Sequence, residues 1–257
     1  MEEVFDFDDL ELESTEEKLT LPSWETLQNL IKPQPARINH PIPSETPRAN
    51  YHITTEDILY PNGTKHKIAA NLKAIHVLKQ LEKSNRPASD EECKILIQYS
   101  GWGGIPQIFD PDNEKFAKEF IELKETLTYD EYVSARASTL NSHYTPKFLI
   151  KFMWQIAQKA GVTSGKFGEF GAGVGHFIGM MPPEINGKFT AIEIDSISGR
   201  IMKQLYPQAQ IIIADIAKTL VKRNSLDLVI GNVPFDQVGP RDSDYVGYNL
   251  HNYCWTH

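Results

Sequence analysis

Cysteine is scarce in this chain of 257 residues: there are two, Cys93 and Cys254. Their number and spacing make neither a zinc-ligand pattern nor a disulfide framework. No apolar run approaches the length of a membrane span, and the amino terminus is acidic where a secretory signal would be basic and then apolar. The sequence therefore predicts a soluble, cytoplasmic protein without a membrane partner or a bound metal. No Gly-Lys-Ser/Thr follows a glycine cluster, which removes the phosphate-cradling loop of nucleotide hydrolases. Excess charge is also lacking outside one segment. Residues 1–20 carry nine Asp and Glu against one Lys, a net of −8 that equals the formal charge of the whole chain. The other 237 residues hold 25 acidic and 25 basic side chains. The acidity is a tail property and does not argue against a nucleic-acid partner for the body.

Three regions follow from the patterning. Residues 1–50 read as an acidic and proline-rich tail, largely disordered or ordered only against a partner. Pro33, Pro35, Pro41, Pro43 and Pro47 stiffen its second half, and Trp24, Leu27, Leu30 and Ile31 have the spacing of one docking turn. Residues 51–160 read as helices that pack on a following sheet. Leu72, Ile75, Leu78 and Leu81 keep a stripe, and Ser89-Asp90 opens a second helix containing Cys93, Leu96 and Ile97. Further helices are expected over 113–127, 129–137 and 146–160, the last with Pro146 in its first turn and Gly161 as its stop. Residues 161–257 read as α/β.

In that last region, residues 166–170 form a short apolar-rich run that breaks into Gly171-Ala172-Gly173-Val174-Gly175. A helix-compatible stretch follows over 176–181. Glycines at this density let the backbone turn sharply and let a ligand approach the main chain. A second run, 189–194, ends in Glu193 and Asp195. Glu193 lies 22 residues beyond Gly171, close to the spacing at which an acid reaches a ribose hydroxyl. A third run, 210–214, ends at Asp215. Strands alternating with helices place these polar ends on one edge of a parallel sheet, where open α/β sheets bind ligands. A dinucleotide fingerprint wants its third glycine where His176 stands. Glu169, just before the glycines, repels a pyrophosphate but suits the ammonium and sulfonium of S-adenosylmethionine. Electrostatics favours S-adenosylmethionine over NAD.

A fourth run, 226–230, delivers Asn232-Val233-Pro234-Phe235. Asn232 offers a side-chain carbonyl, and backbone carbonyls near Pro234 lack helical partners. Together they are suited to both hydrogens of an exocyclic amine, with Phe235 as a stacking face. Alone this tetrapeptide is a weak signal, since a strand ending in a turn reads the same way.

Residues 166–235 resemble class I S-adenosylmethionine-dependent methyltransferases of the amino-methylating kind. The resemblance is closer to one branch, the adenine-N6 DNA methylase domain of large helicase–methylase proteins from plasmids, phages and conjugative elements. It rests on Tyr99-Ser-Gly-Trp-Gly-Gly-Ile-Pro106, Ala135-Arg-Ala-Ser-Thr-Leu-Asn-Ser-His-Tyr-Thr-Pro146, Ile197-Ser-Gly-Arg-Ile-Met-Lys-Gln-Leu-Tyr-Pro207 and Val229-Ile-Gly-Asn-Val-Pro-Phe235. It spans about four-fifths of the chain, from residue 51 onward. The resemblance implies a Rossmann-like methyltransferase sheet with its first half present, S-adenosylmethionine as cofactor and DNA as partner. It implies that His143, Tyr144, Thr145 and Pro146 cover the methionine part of the cofactor and that Glu169, Gly171 and Gly173 hold its amino acid moiety. Glu193 would take the ribose hydroxyls, Asp215 the cofactor adenine, and Asn232, Val233, Pro234 and Phe235 the target base. Val233 replaces the proline usual at that position, which keeps the carbonyl but loosens φ. Trp102 reads as a core or turn aromatic before a stacking platform, and Arg136 as a phosphate contact or a surface residue.

In the family the sheet continues beyond the base-gripping motif, so residues 161–257 read as a core cut short. The strand over 226–230 is apolar on both faces, and its outer edge calls for a cover. That cover is expected from a continuation, a second copy, or residues 245–255 folding back. Two function classes stand: an adenine-N6 DNA methyltransferase completed by further chain, and a non-catalytic cofactor- or DNA-binding remnant with a regulatory role. Methylation of a protein glutamine or an RNA base is a weaker third, because each presents a planar amine.

Overall fold

Apolar residues spaced three and four apart set the helices, and their caps set where they begin. The computed structural model describes residues 48–139, 144–219 and 221–232, all within the unit Thr46–His257. The acidic tail, the linker prolines and the turn expected over 24–31 lie outside the described residues. So do His143, Val233, Pro234, Phe235 and residues 245–255. Arg48 and Asn50, inside the stretch read as tail, are both engaged. Arg48 pairs with Asp90 and the Ala88 carbonyl, and Asn50 accepts from the Gln208 amide.

Helix α1, Thr64–Ser84, buries Ile68, Leu72, Ile75, Leu78 and Leu81. It stops at Asn85, whose left-handed backbone (φ 47°) turns its amide back to the Glu82 carbonyl. Helix α2, Asp90–Leu96, opens on a capping box in which Ser89 and Glu92 each accept from the other's backbone amide. Helix α3, Ala117–Thr126, is shorter than the 113–127 expectation. Its first residues wind as a 3₁₀ turn, Glu114–Phe116, with the Asn113 side chain accepting from the Lys115 amide. Helix α4, Tyr129–Ala137, has the expected bounds and a second capping box, Thr128 with Glu131. Helix α5, Lys147–Lys159, starts one residue later than expected. Pro146 is its N-cap, with extended ψ (144°) and a carbonyl that receives the Leu149 and Ile150 amides.

The sheet has the order β3-β2-β1-β4, all parallel. Strand β1, Ser164–Phe170, is flanked by β2, Asn186–Glu193, and by β4, Leu228–Val229; β3, Gln210–Ile213, lies outside β2. The α/β expectation holds. β1 and β2 begin earlier than their apolar runs, because Ser164↔Asn186 and Gly165↔Gly187 are already paired. Pairing with a neighbour extends a strand through residues with no strand signal of their own. β4 is shorter than 226–230, and Val229 is 52% exposed while Ile230 is buried. Both-face burial, expected for a central strand, is not met at Val229 among the described residues.

Between strands run α6, a single turn over His176–Gly179, and α7, Ser196–Leu205. The helix expected over 176–181 ends early because Pro182 and Pro183 follow. Trp154 of α5 stacks edge-on to Phe189 and tilts against Phe167, and its indole donates to the Phe177 carbonyl at 3.0 Å. Trp102 is fully buried against Phe109, which meets the core expectation for it.

A buried charge cluster ties α1, α4 and α7 together. The Glu131 carboxylate receives Lys79 at 2.6 and 2.7 Å, Arg200 at 2.6 Å and the Thr128 amide at 2.8 Å. Burial alone would raise its pKa, but these donors outweigh burial and hold it at about 2. The folded value is depressed, so the cluster's stability is present above about pH 4.5 and lost as pH falls toward 2. Glu131→Gln is expected to cost about 3 kcal/mol by taking from Lys79 its carboxylate and leaving Arg200 with Glu82 alone. Urea unfolding at pH 7 measures it; a cost below about 0.5 kcal/mol would place the cluster among solvent-screened pairs.

Candidate active site

The strand order reverses between β1 and β4, and such a switch point opens a crevice at the carboxyl edge of the sheet. Four of the expected polar positions arrive there: the glycine loop after β1, Glu193 ending β2, Asp215 after β3 and Asn232 after β4. The loop hangs on β2, since the Gly171 and Ala172 amides both donate to the Ile192 carbonyl, at 2.9 and 3.2 Å. Gly173 then takes a left-handed φ of 56°, and its amide donates to Glu193 Oε2 at 2.6 Å. A Cβ on Gly173 would lie 3.0 Å from the Tyr144 ring. Gly175, also left-handed (φ 76°), starts α6, and a Cβ there would meet Tyr206 at 2.7 Å.

Glu193 is 8% exposed. Its second oxygen accepts from the Asp195 amide at 2.8 Å. Burial pushes its carboxyl up to about 7, against the amides of Asp195 and Gly173 that hold it down, and the Asp195 charge pushes further up. A raised folded value means that the stability it contributes is full below about pH 4.5 and is lost as pH rises through about 7. That loss is about 3 kcal/mol at most. Glu193→Gln is expected to flatten the fall in unfolding free energy between pH 5 and 8. Equal slopes for both proteins would show that this carboxyl ionises normally.

The other predicted residues divide. Glu169 is 3% exposed and lies beneath the loop: it faces the amides of Phe177 and Ile178, and its Oε2 has no partner among the described residues. Burial raises its pKa well above the usual carboxylate range. Its Cγ would stand 3.5 Å from a Cβ on Gly231, so β1 and β4 deliver Glu169 and Asn232 to adjacent places. Asn232 is exposed. Asp215 is half-buried, and its carbonyl receives Lys218 N–H and Thr219 Oγ–H as the chain turns into a 3₁₀ segment. Asp195 is a helix cap, accepting from the Ser198 amide and hydroxyl at 3.0 and 2.7 Å. Thr145 is buried, and its carbonyl accepts from the Tyr60 hydroxyl at 2.7 Å. Arg136 is exposed.

Sequence reasoning missed His176 and Tyr60. His176 is buried, with Nε2 2.8 Å from the Ile97 carbonyl and Nδ1 2.8 Å from the Tyr60 hydroxyl. Burial lowers its pKa to about 4, so it is neutral at pH 7. It locks the start of α6 to α2 and to the loop before α1. No periodic or motif signal marks Tyr60. Among the described residues no His, Cys, Asp and Glu group is placed to hold a metal, and no helix is long and apolar enough to cross a membrane.

No family model matches the chain. It is 31% identical over 176 residues to the Defense against restriction protein B of Escherichia phage P1, across 68% of this chain. It spans only 6% of that relative's length. Among solved structures, a proposed RNA methyltransferase from Pyrococcus horikoshii shares 18% identity over 37% of this chain and 49% of that one, with a TM-score of 0.33. A proposed S-adenosyl-L-methionine-dependent methyltransferase from Methanococcus maripaludis shares 17% identity over 54% of each chain, with a TM-score of 0.29.

The residues present suit a small cationic ligand bearing a diol. Glu193 faces the amides of Gly173, Ile194 and Asp195, and its ionised carboxylate retains acceptor capacity for a hydroxyl donor. The unpartnered Glu169 oxygen lies on the same edge as Gly173, over which the Tyr144 ring packs.

Proposed function

We propose that this chain carries the cofactor-binding half of an S-adenosylmethionine-dependent methyltransferase acting on the N6 amine of adenine in DNA. The observation that carries the reading is the Glu193–Gly173 clasp at the carboxyl edge of a β3-β2-β1-β4 sheet, the edge on which β4 also ends before Asn232. The long strings shared with adenine methylases of mobile elements support the nucleic-acid substrate. The relative's printed name, defense against restriction, accords with that reading.

Bound S-adenosylmethionine supplies a methyl group activated by the sulfonium. The chain's part is placement. Glu193 accepts the ribose hydroxyls, Asp215 the cofactor's adenine amine, and the bare Gly171–Gly173 backbone takes the amino acid end under Tyr144. Asn232 Oδ1 and a carbonyl of the Val233–Pro234 segment accept the two hydrogens of the target amine, and Phe235 stacks on the base. The amine is thereby aimed, and its proton passes to water as the nitrogen becomes acidic. Holding the reacting atoms in line is most of the rate gain in such a transfer. The target base leaves its duplex first, at a cost of a few kcal/mol.

Radiolabelled methyl transfer to unmethylated DNA, with titration calorimetry for the cofactor, tests the reading. Binding with transfer to adenine N6 is expected. Binding without transfer in any length of the protein would favour the non-catalytic remnant, and no binding would remove both.

A further inference from the structure

The Gly-Trp-Gly-Gly loop has no part in that chemistry, yet it is held firmly from several sides. Asn71 of α1, fully buried, donates to the Gly101 carbonyl at 2.6 Å and accepts from the Ser100 amide at 2.9 Å. Trp102 and Tyr99 anchor the loop in the core, and the Gly104 amide donates to the Thr139 carbonyl at 3.2 Å. The fixed backbone faces a cavity of about 320 Å³ walled by Tyr60, Tyr144, Lys67, Ser100, Gly103 and Gly104. A Cβ on Gly104 would meet nothing within 4 Å, so that wall is open backbone.

Lys67 is the charged group of this cavity. It is half-buried, and burial lowers its pKa. Its ammonium donates to the Gly103 carbonyl at 2.8 Å and makes no ion pair among the described residues. An ammonium has three donors, so two remain for an anion. The aromatic walls are equally fixed. The Tyr60 hydroxyl sits between the Thr145 carbonyl and His176, and the Tyr144 ring lies against both Tyr60 and the place of a Gly173 Cβ. Tyr144 is therefore a wall shared by the cavity and the candidate cofactor loop. The volume is at the low end of the roughly 300–1,000 Å³ of small-ligand sites. It suits one nucleotide and is too small for a duplex.

We propose that this cavity is a nucleotide subsite for the substrate strand, in which Lys67 takes a backbone phosphate and the Tyr60 and Tyr144 rings take a base. The assignment rests on the methyltransferase reading for its substrate class. The glycine–tryptophan loop then serves as a side-chain-free shelf along which a strand passes toward the methyl-transfer edge.

Fluorescence anisotropy with a labelled single-stranded oligonucleotide, titrated over a range of salt, tests it on the full chain. Lys67→Gln is expected to weaken binding several-fold on every sequence tried. It should also reduce the slope of log affinity against log salt by about 0.7, the share of one phosphate on a single strand. Lys67→Arg is expected to keep the parent slope. Gly104→Asn, which tolerates a left-handed φ and projects into the cavity, is expected to weaken binding with the slope unchanged. Failure of the parent to bind the oligonucleotide, or an unchanged slope in a folded Lys67→Gln, would overturn the proposal. A Lys67 effect on deoxyadenosine monophosphate but not on the oligonucleotide would overturn it too, in favour of a free-nucleotide site. Calorimetry with S-adenosylmethionine on the same variants separates the two readings. Intact cofactor binding with no Lys67 effect removes the subsite alone, and lost cofactor binding in the parent removes the methyltransferase.

Discussion

Gly173→Asp is expected to weaken S-adenosylmethionine binding at least about 100-fold, the equivalent of roughly 2.7 kcal/mol, while the protein stays folded. Three effects converge on this position. The new Cβ would come within 3.0 Å of the Tyr144 ring, pressing it from the face it shares with the loop. The added carboxylate would enter beside Glu193, whose oxygen already holds the Gly173 amide at 2.6 Å. The left-handed φ of 56° is the least serious, because Asp and Asn visit that region more readily than other side chains. Gly173→Asn separates the remaining two, since it keeps the shape and omits the charge. Calorimetry gives the affinities and a thermal melt gives the folding control. Parental affinity in the Asp variant would mean that no cofactor passes over this loop.

Asn232→Ala is the complementary case. It should leave cofactor affinity within about twofold and lower methyl transfer by about 100-fold, the usual effect of removing one aligned polar group from a transition state. The structure supports the separation. Asn232 is exposed beyond β4, while the neighbouring Gly231 lies over Glu169. Among the described residues Asn232 makes no hydrogen bond that would hold the loop in place. Affinity and transfer are measured on the same preparation. A joint loss would show that the end of β4 is part of the cofactor pocket.

Local patterns in the chain were enough to set the elements and the polar positions at their ends. Helix stripes such as Leu72, Ile75, Leu78 and Leu81 and the cap at Ser89 are signals of this kind. Each depends on residues within a turn or two, so they are legible before any tertiary contact forms. The same holds for the glycine loop and for the acids at the ends of the second and third strands.

What those residues do once folded was decided elsewhere. Glu193 and Asp195 are equivalent in the sequence as two acids after one strand. In the structure one clasps the Gly173 amide and the other caps α7. Glu169 lies beneath its loop and faces the amides of Phe177 and Ile178 in α6. Placing β4 beside β1, which creates the crevice, requires pairing Gly168 with Val229 across more than sixty residues of chain. Lys67 meets the Gly103 carbonyl, and Tyr60 meets His176, across separations of 36 and 116 residues. No local pattern encodes such contacts. They form as α5 packs on the sheet and α1 and α2 pack on each other and on α7, because polar groups carried into that interior are costly unless they find partners there.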